Sequence, residues 1–89
     1  MGKVDCIQFE GLDCWFHSSD HAPPHFHCAK TSEWEIRIFF LNCNQKNGLE
    51  YEIKWGKVPK SKTLKSLNDL VVRNRINLLK EWEEKVSIY

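Results

Sequence analysis

Long apolar runs are missing from this chain, and with them any segment able to cross a bilayer as a helix. A charged-then-apolar leader is missing too, so the expected setting is the cytoplasm, with no membrane partner. No C-x-x-C pair occurs among Cys6, Cys14, Cys28 and Cys43. Outside a secretory context these read as four reduced thiols packed as small hydrophobes, not as a disulfide framework. Charge of one sign is not in excess: the net charge is +1, so no global field draws the protein to nucleic acid or membrane. Repeats and low-complexity tracts are absent, as are a Gly-rich phosphate loop, a Gly-x-Ser-x-Gly elbow and a compact carboxylate motif. The i,i+2 pairs Glu33/Glu35 and Glu50/Glu52 read as polar faces of half-exposed strands.

Histidine is also missing from most of the chain, which makes its one location conspicuous. All 4 histidines fall in His17-Ser-Ser-Asp-His21-Ala-Pro-Pro-His25-Phe-His27. Imidazole titrates near neutral pH and is the commonest metal ligand. Pro23 and Pro24 fix their own φ and restrict Ala22 and Pro23 before them, so the arm is stiff before folding. In an extended chain His25 and His27 project to one side, roughly 7 Å apart at Cα, with Phe26 on the other. Such a pair can hold a divalent metal or serve as acid and base at a phosphodiester. The candidate metal ligands are His21, His25 and His27, with Asp20 and His17 as further ligands. A scaffold reading stands beside these, with the imidazoles bonded to turn carbonyls and stacked on Trp15, Phe26 or Trp34. No catalytic residue is assigned. A Cys2His2 zinc set would need broken strands, because Cys14 and His17, like His27 and Cys28, have opposite parity.

The rest of the chain supplies a small globule. With 42% hydrophobic and 12% aromatic residues, the 89 residues suit one domain, 1–89, with a single core. Trp34–Leu41 alternates, setting Trp34, Ile36, Ile38 and Phe40 against Glu35, Arg37, Phe39 and Leu41. Leu49, Tyr51, Ile53 and Trp55 alternate against Glu50, Glu52 and Lys54, and Asn47-Gly48 suits the turn between the two strands. Shorter strands are expected at Cys6–Phe9 and Leu12–Phe16, or one strand bent at Gly11, and His25–Ala29 is expected to be extended as well. Past Pro59 the period becomes helical, predicting helices at Ser61–Arg73 and Arg75–Val86, with Asn74 as N-cap of the second. The fold class is therefore α+β: a small antiparallel sheet of three or four strands, then two C-terminal helices packed on one face.

Between Lys54 and Lys80 the chain is basic, with one acid, Asp69. The plain reading is a solvated face. The sharper one is a binding surface formed by Lys54, Lys57, Lys60, Lys62 and Lys65, facing phosphate or an acidic partner.

Asp20-His-Ala-Pro-Pro-His-Phe-His27 closely resembles the hallmark Asp-His-Asn-Pro-Pro-His-Phe-His of a small bacterial family, domain of unknown function 4160. The family pattern continues with strands, a proline and a helical tail carrying Leu-Leu-x-x-Trp, matched here by Pro59 and by Leu78, Leu79 and Trp82. The resemblance spans about Leu12 to Lys85. It implies a small cytoplasmic α+β protein, of a group associated with toxin–antitoxin or defence gene pairs. Ala22 departs from the family's Asn, and the Asn42–Gly48 region is longer than the pattern.

Three functions follow as expectations. The first is an interaction module of toxin–antitoxin or defence type, with a protein partner and the histidine arm at its binding surface. The second is a metal-binding protein or metal-dependent nuclease, its cofactor a divalent metal. The third is a metal-independent ribonuclease using His25 and His27, for which Arg37 or a lysine would steady the phosphorane. Nucleic acid would be met by the Lys54–Lys65 run, and a homodimer would form through a sheet edge.

Overall fold

The computed structural model describes residues 2–86. Five strands form one antiparallel sheet in sequence order: β1 (Gly2–Lys3), β2 (Asp13–Phe16), β3 (Phe26–Lys30), β4 (Trp34–Ile38) and β5 (Tyr51–Gly56). Two helices follow, α1 (Ser61–Arg73) and α2 (Arg75–Lys85). The α+β class and the strands-then-helices order agree with the expectation, and the sheet is one strand larger. The extra strand is β1, whose Gly2 and Lys3 pair with Phe16 and Trp15. Cys6–Phe9, expected as a strand, is irregular.

Alternation dictates which face each strand buries. Phe16, Phe26, Cys28, Ile36 and Ile38 are fully covered on the side that receives the helices, where Leu67, Val71, Leu78 and Trp82 complete the core. Trp82 of α2 meets Phe16 edge-on at 6.3 Å between ring centres. Directly paired residues of an antiparallel sheet share a face. Trp15, His27 and Arg37 therefore form a row across β2, β3 and β4 on the side away from the helices.

β4 is shorter than its hydrophobic pattern. After Ile38 the chain turns through Phe40–Asn42 in a 3-10 turn that still buries Phe40. Gly48, at φ 82°, then closes the tight return from Asn44, where the side chain of Asn44 accepts the Asn47 N–H at 2.7 Å.

β5 carries an irregularity with consequences for the site. Ile36 pairs with Ile53 but Glu35 pairs with Trp55, so Lys54 is an extra residue: a β-bulge. Expected on one face with Tyr51 and Ile53, Trp55 is instead moved to the face of Glu35.

Asn74 stands at the N-cap of α2, as expected, its carbonyl accepting the Leu78 N–H at 2.8 Å. It makes no side-chain N-cap bond to α2. Its amide Nδ2 donates to the Leu70 carbonyl at 2.8 Å, and its backbone N–H donates to the same oxygen at 3.0 Å. Asn74 thus ends α1 by satisfying a carbonyl that the last turn leaves free.

Among the described residues no helix is long and apolar enough to cross a membrane.

Candidate metal centre

Three segments brought together by the sheet supply the site. The turn after β2 carries His17 and Asp20, the start of β3 carries His25 and His27, and β4 contributes Glu35. Local bonding fixes the turn: the Asp20 N–H donates to the His17 carbonyl at 3.2 Å. The Asp20 carboxylate is thereby aimed back at the start of β3.

Oδ2 of Asp20 lies 3.0 Å from His27 Nε2 and 3.4 Å from His25 Nε2. The ligand atoms of Asp20, His25 and His27 all fall within 4.8 Å of one another. A tetrahedral ion with bonds of about 2.0–2.2 Å sets neighbouring ligand atoms roughly 3.3 Å apart, and the two distances to Asp20 Oδ2 are of that size, so the three groups could hold one metal ion.

Both rings are buried, His25 to 7% exposure and His27 to 2%. His25 lies against Phe39 and against Trp82 of α2, with ring centres 5.4 and 5.6 Å away. Its Nδ1–H donates to the Pro23 carbonyl at 2.9 Å, which leaves the Nε2 lone pair free toward Asp20. His27 stacks on Trp15, with ring centres 5.6 Å apart and planes inclined by 15°. Burial pushes the His27 imidazole below its ordinary pKa, against the opposing pull of Asp20 and with His17 and His25 adding to the lowering. A neutral imidazole is the form that binds metal.

On its other side, His27 Nδ1 points toward Glu35 Oε2 at 3.6 Å, too far for a hydrogen bond. Glu35 is held by the bulge. Trp55 Nε1–H donates to Oε1 at 3.3 Å and the Lys54 ammonium sits 3.1 Å from Oε2. Burial alone would raise the Glu35 carboxyl, but Lys54, Trp55 and His27 outweigh it and hold it below the usual range.

The candidate ligands thus divide. Asp20, His25 and His27 converge. His17 is adjacent, its ring centre 4.4 Å from that of His27, but its Nε2 accepts the Trp15 indole N–H at 3.2 Å and it stands outside the converging group. His21 is exposed and stands outside it as well. Lys54 turns onto Glu35, while Lys57, Lys60, Lys62 and Lys65 are exposed. Glu35 is the residue that sequence reasoning set aside as a strand's polar face. Its parity with Arg37 on β4 was visible, but the bulge that surrounds it with Lys54 and Trp55 leaves no mark in the alternation.

Chemically, two imidazoles and one carboxylate form an N/N/O set suited to zinc, iron or manganese rather than to calcium or magnesium. Three protein ligands leave coordination positions for water or substrate, as in catalytic rather than closed structural sites.

No curated protein and no solved structure matches the chain. The family model described as Domain of unknown function (DUF4160) matches residues 11–83, a stretch that includes Asp20, His25, His27, Glu35 and Trp82, and the chain belongs to that family.

Proposed function

We propose that this protein binds one divalent transition-metal ion through Asp20, His25 and His27, with positions left open for a hydrolytic reaction. One observation carries the reading: two buried imidazoles direct Nε2 at the same carboxylate oxygen, at 3.0 and 3.4 Å. An acid–base pair serving a scissile bond is better placed on its two sides than gathered on one carboxylate, so metal binding is favoured over metal-independent ribonuclease chemistry. The metal would lower the pKa of a bound water and so supply the nucleophile. RNA and DNA are the substrates to assay, because the exposed Lys57, Lys60, Lys62 and Lys65 offer cations for phosphate.

The decisive experiment is elemental analysis of protein purified without a histidine tag, followed by calorimetric titration with Zn2+ and Mn2+. One equivalent of metal is expected, and His25→Ala or His27→Ala should abolish it. Substoichiometric metal in the purified protein, with no thermal shift on adding either ion, would overturn the reading. Cleavage of RNA that persists in EDTA would return the metal-independent ribonuclease to first place.

A second reading has its own observation. Ile53, Trp55 and Val58 are exposed at 41%, 45% and 66% along the edge strand β5 and the chain beyond it. This supports an interaction module, of the toxin–antitoxin or defence type, with β5 as the docking edge. A second copy is the occupant to test first. Antiparallel self-pairing centred on Ile53 would oppose Glu52 of one copy to Lys54 of the other. Sedimentation should then show a dimer that Ile53→Lys dissociates, and a monomer at all concentrations would remove this mode.

A further inference from the structure

The two histidines of the centre are not prepared alike. His25 has its Nδ1 proton committed to the Pro23 carbonyl at 2.9 Å, so Nε2 is already the lone-pair nitrogen. His27 is the reverse. Its Nε2 lies at hydrogen-bonding distance, 3.0 Å, from the Asp20 carboxylate, which can only accept. Its Nδ1 is fully buried and has no hydrogen-bond partner. In this state the proton of the neutral ring belongs on Nε2, the atom a metal would need.

A buried nitrogen without a partner is costly, and here an acceptor waits just beyond bonding range. Glu35 Oε2 stands 3.6 Å from it, on a side chain only 12% exposed. The bulge brings Lys54 and Trp55 to that carboxylate, at 3.1 and 3.3 Å, and so fixes its direction.

We infer that Glu35 is the acceptor for the His27 Nδ1 proton once a metal occupies Nε2, so that His27 exchanges tautomer when the ion enters. The inference rests on the metal reading above. The ring stays neutral and keeps one proton: the N–H bond at Nε2 breaks, one at Nδ1 forms, and water carries the proton between. A shift of a few tenths of an ångström would bring Nδ1 and Oε2 within hydrogen-bonding range. Glu35 is then a positioning residue, acting on the metal only through His27. Such outer partners of metal-bound imidazoles are worth about 10–100-fold in metal affinity.

The test uses the full chain with 15N-labelled histidine, and Zn2+ as the probe. In the metal-free protein, long-range 1H–15N spectra should place the His27 proton on Nε2, and Zn2+ should move it to Nδ1. Glu35→Ala should weaken Zn2+ binding by about 10–100-fold. Glu35→Gln, whose amide oxygen still accepts, should recover most of the loss, which separates positioning from a general loss of folding. Unchanged affinity in Glu35→Ala, or zinc bound through Nδ1, overturns the inference. If the wild type binds no Zn2+, the metal reading fails, and two metal-free variants decide the role of Glu35. Asp20→Ala should move the His27 proton to Nδ1, and adding Glu35→Ala should reverse that. Identical spectra for the two variants would overturn the role.

Discussion

At the scale of single residues, Trp82 does two jobs in two parts of the molecule. It fills the core against Phe16 and walls the ring of His25. Truncating an aromatic this deeply covered costs about 3–5 kcal/mol, so Trp82→Ala should show a matching loss in urea unfolding. Trp82→Leu should keep more of the stability while loosening His25, and metal titration of that variant separates the two roles. The histidine motif and the tail tryptophan of this chain are thus in direct contact through His25. That His25 and His27 would lie close together was legible in the sequence, from parity and from the stiff Pro-Pro arm. Which other groups would join them was not. His21 is nearer to the arm along the chain than Glu35, yet a turn leaves it in solvent, while β-pairing brings Glu35 of the next strand alongside His27.

At the scale of elements, the informative departures are at ends and irregularities. The helix bounds were legible because Leu64, Leu67, Leu70 and Val71 recur at helical spacing. The N-cap position of Asn74 was legible too, but its side-chain bond back to Leu70 was not, because an Asn between two helices can serve either one. Asn74→Ala should lower stability by about 0.5–1.5 kcal/mol through the lost bond to Leu70, read by chemical denaturation. The bulge in β5 was invisible because Tyr51, Ile53 and Trp55 keep perfect alternation. Only pairing with β4 reveals that Lys54 is the extra residue. Gly56 closes this strand at φ 91°, and a Cβ there would collide with the Glu33 backbone. Gly56→Ala should therefore cost more than the roughly 1 kcal/mol of the left-handed conformation alone, and should disturb the Glu35–Trp55 end of the site. A thermal melt and the Trp55 indole N–H signal would check both.

At the scale of the whole molecule, the sheet is a simple meander and the site is built from β2, β3 and β4 and the turn between β2 and β3, with the β5 bulge behind Glu35. The helices contribute a wall and the closure of the core. Closure depends strongly on one carboxylate. Glu81 of α2 accepts the N–H groups of Asp5 and Cys6 at 2.7 and 2.9 Å and pairs with Lys85 at 2.8 Å. Burial alone would raise its pKa, but these partners outweigh burial and hold it below the ordinary 4.5. A carboxyl depressed in the folded state adds stability that is complete above its unfolded value and is lost as pH falls through the folded one. Wild-type stability should therefore drop on acidification below about pH 4.5, and Glu81→Gln should flatten that part of the curve while lowering stability at neutral pH. Equal pH profiles for the two proteins, measured by urea midpoints, would refute this assignment.

The same clasp brings distant parts of the chain to one spot: the Lys85 ammonium reaches the Lys3 carbonyl at 2.6 Å and Asp5 at 2.8 Å. One side chain thus couples β1 and the residues after it to α2, so loosening of the helix should be read as faster amide exchange at Val4, Asp5 and Cys6.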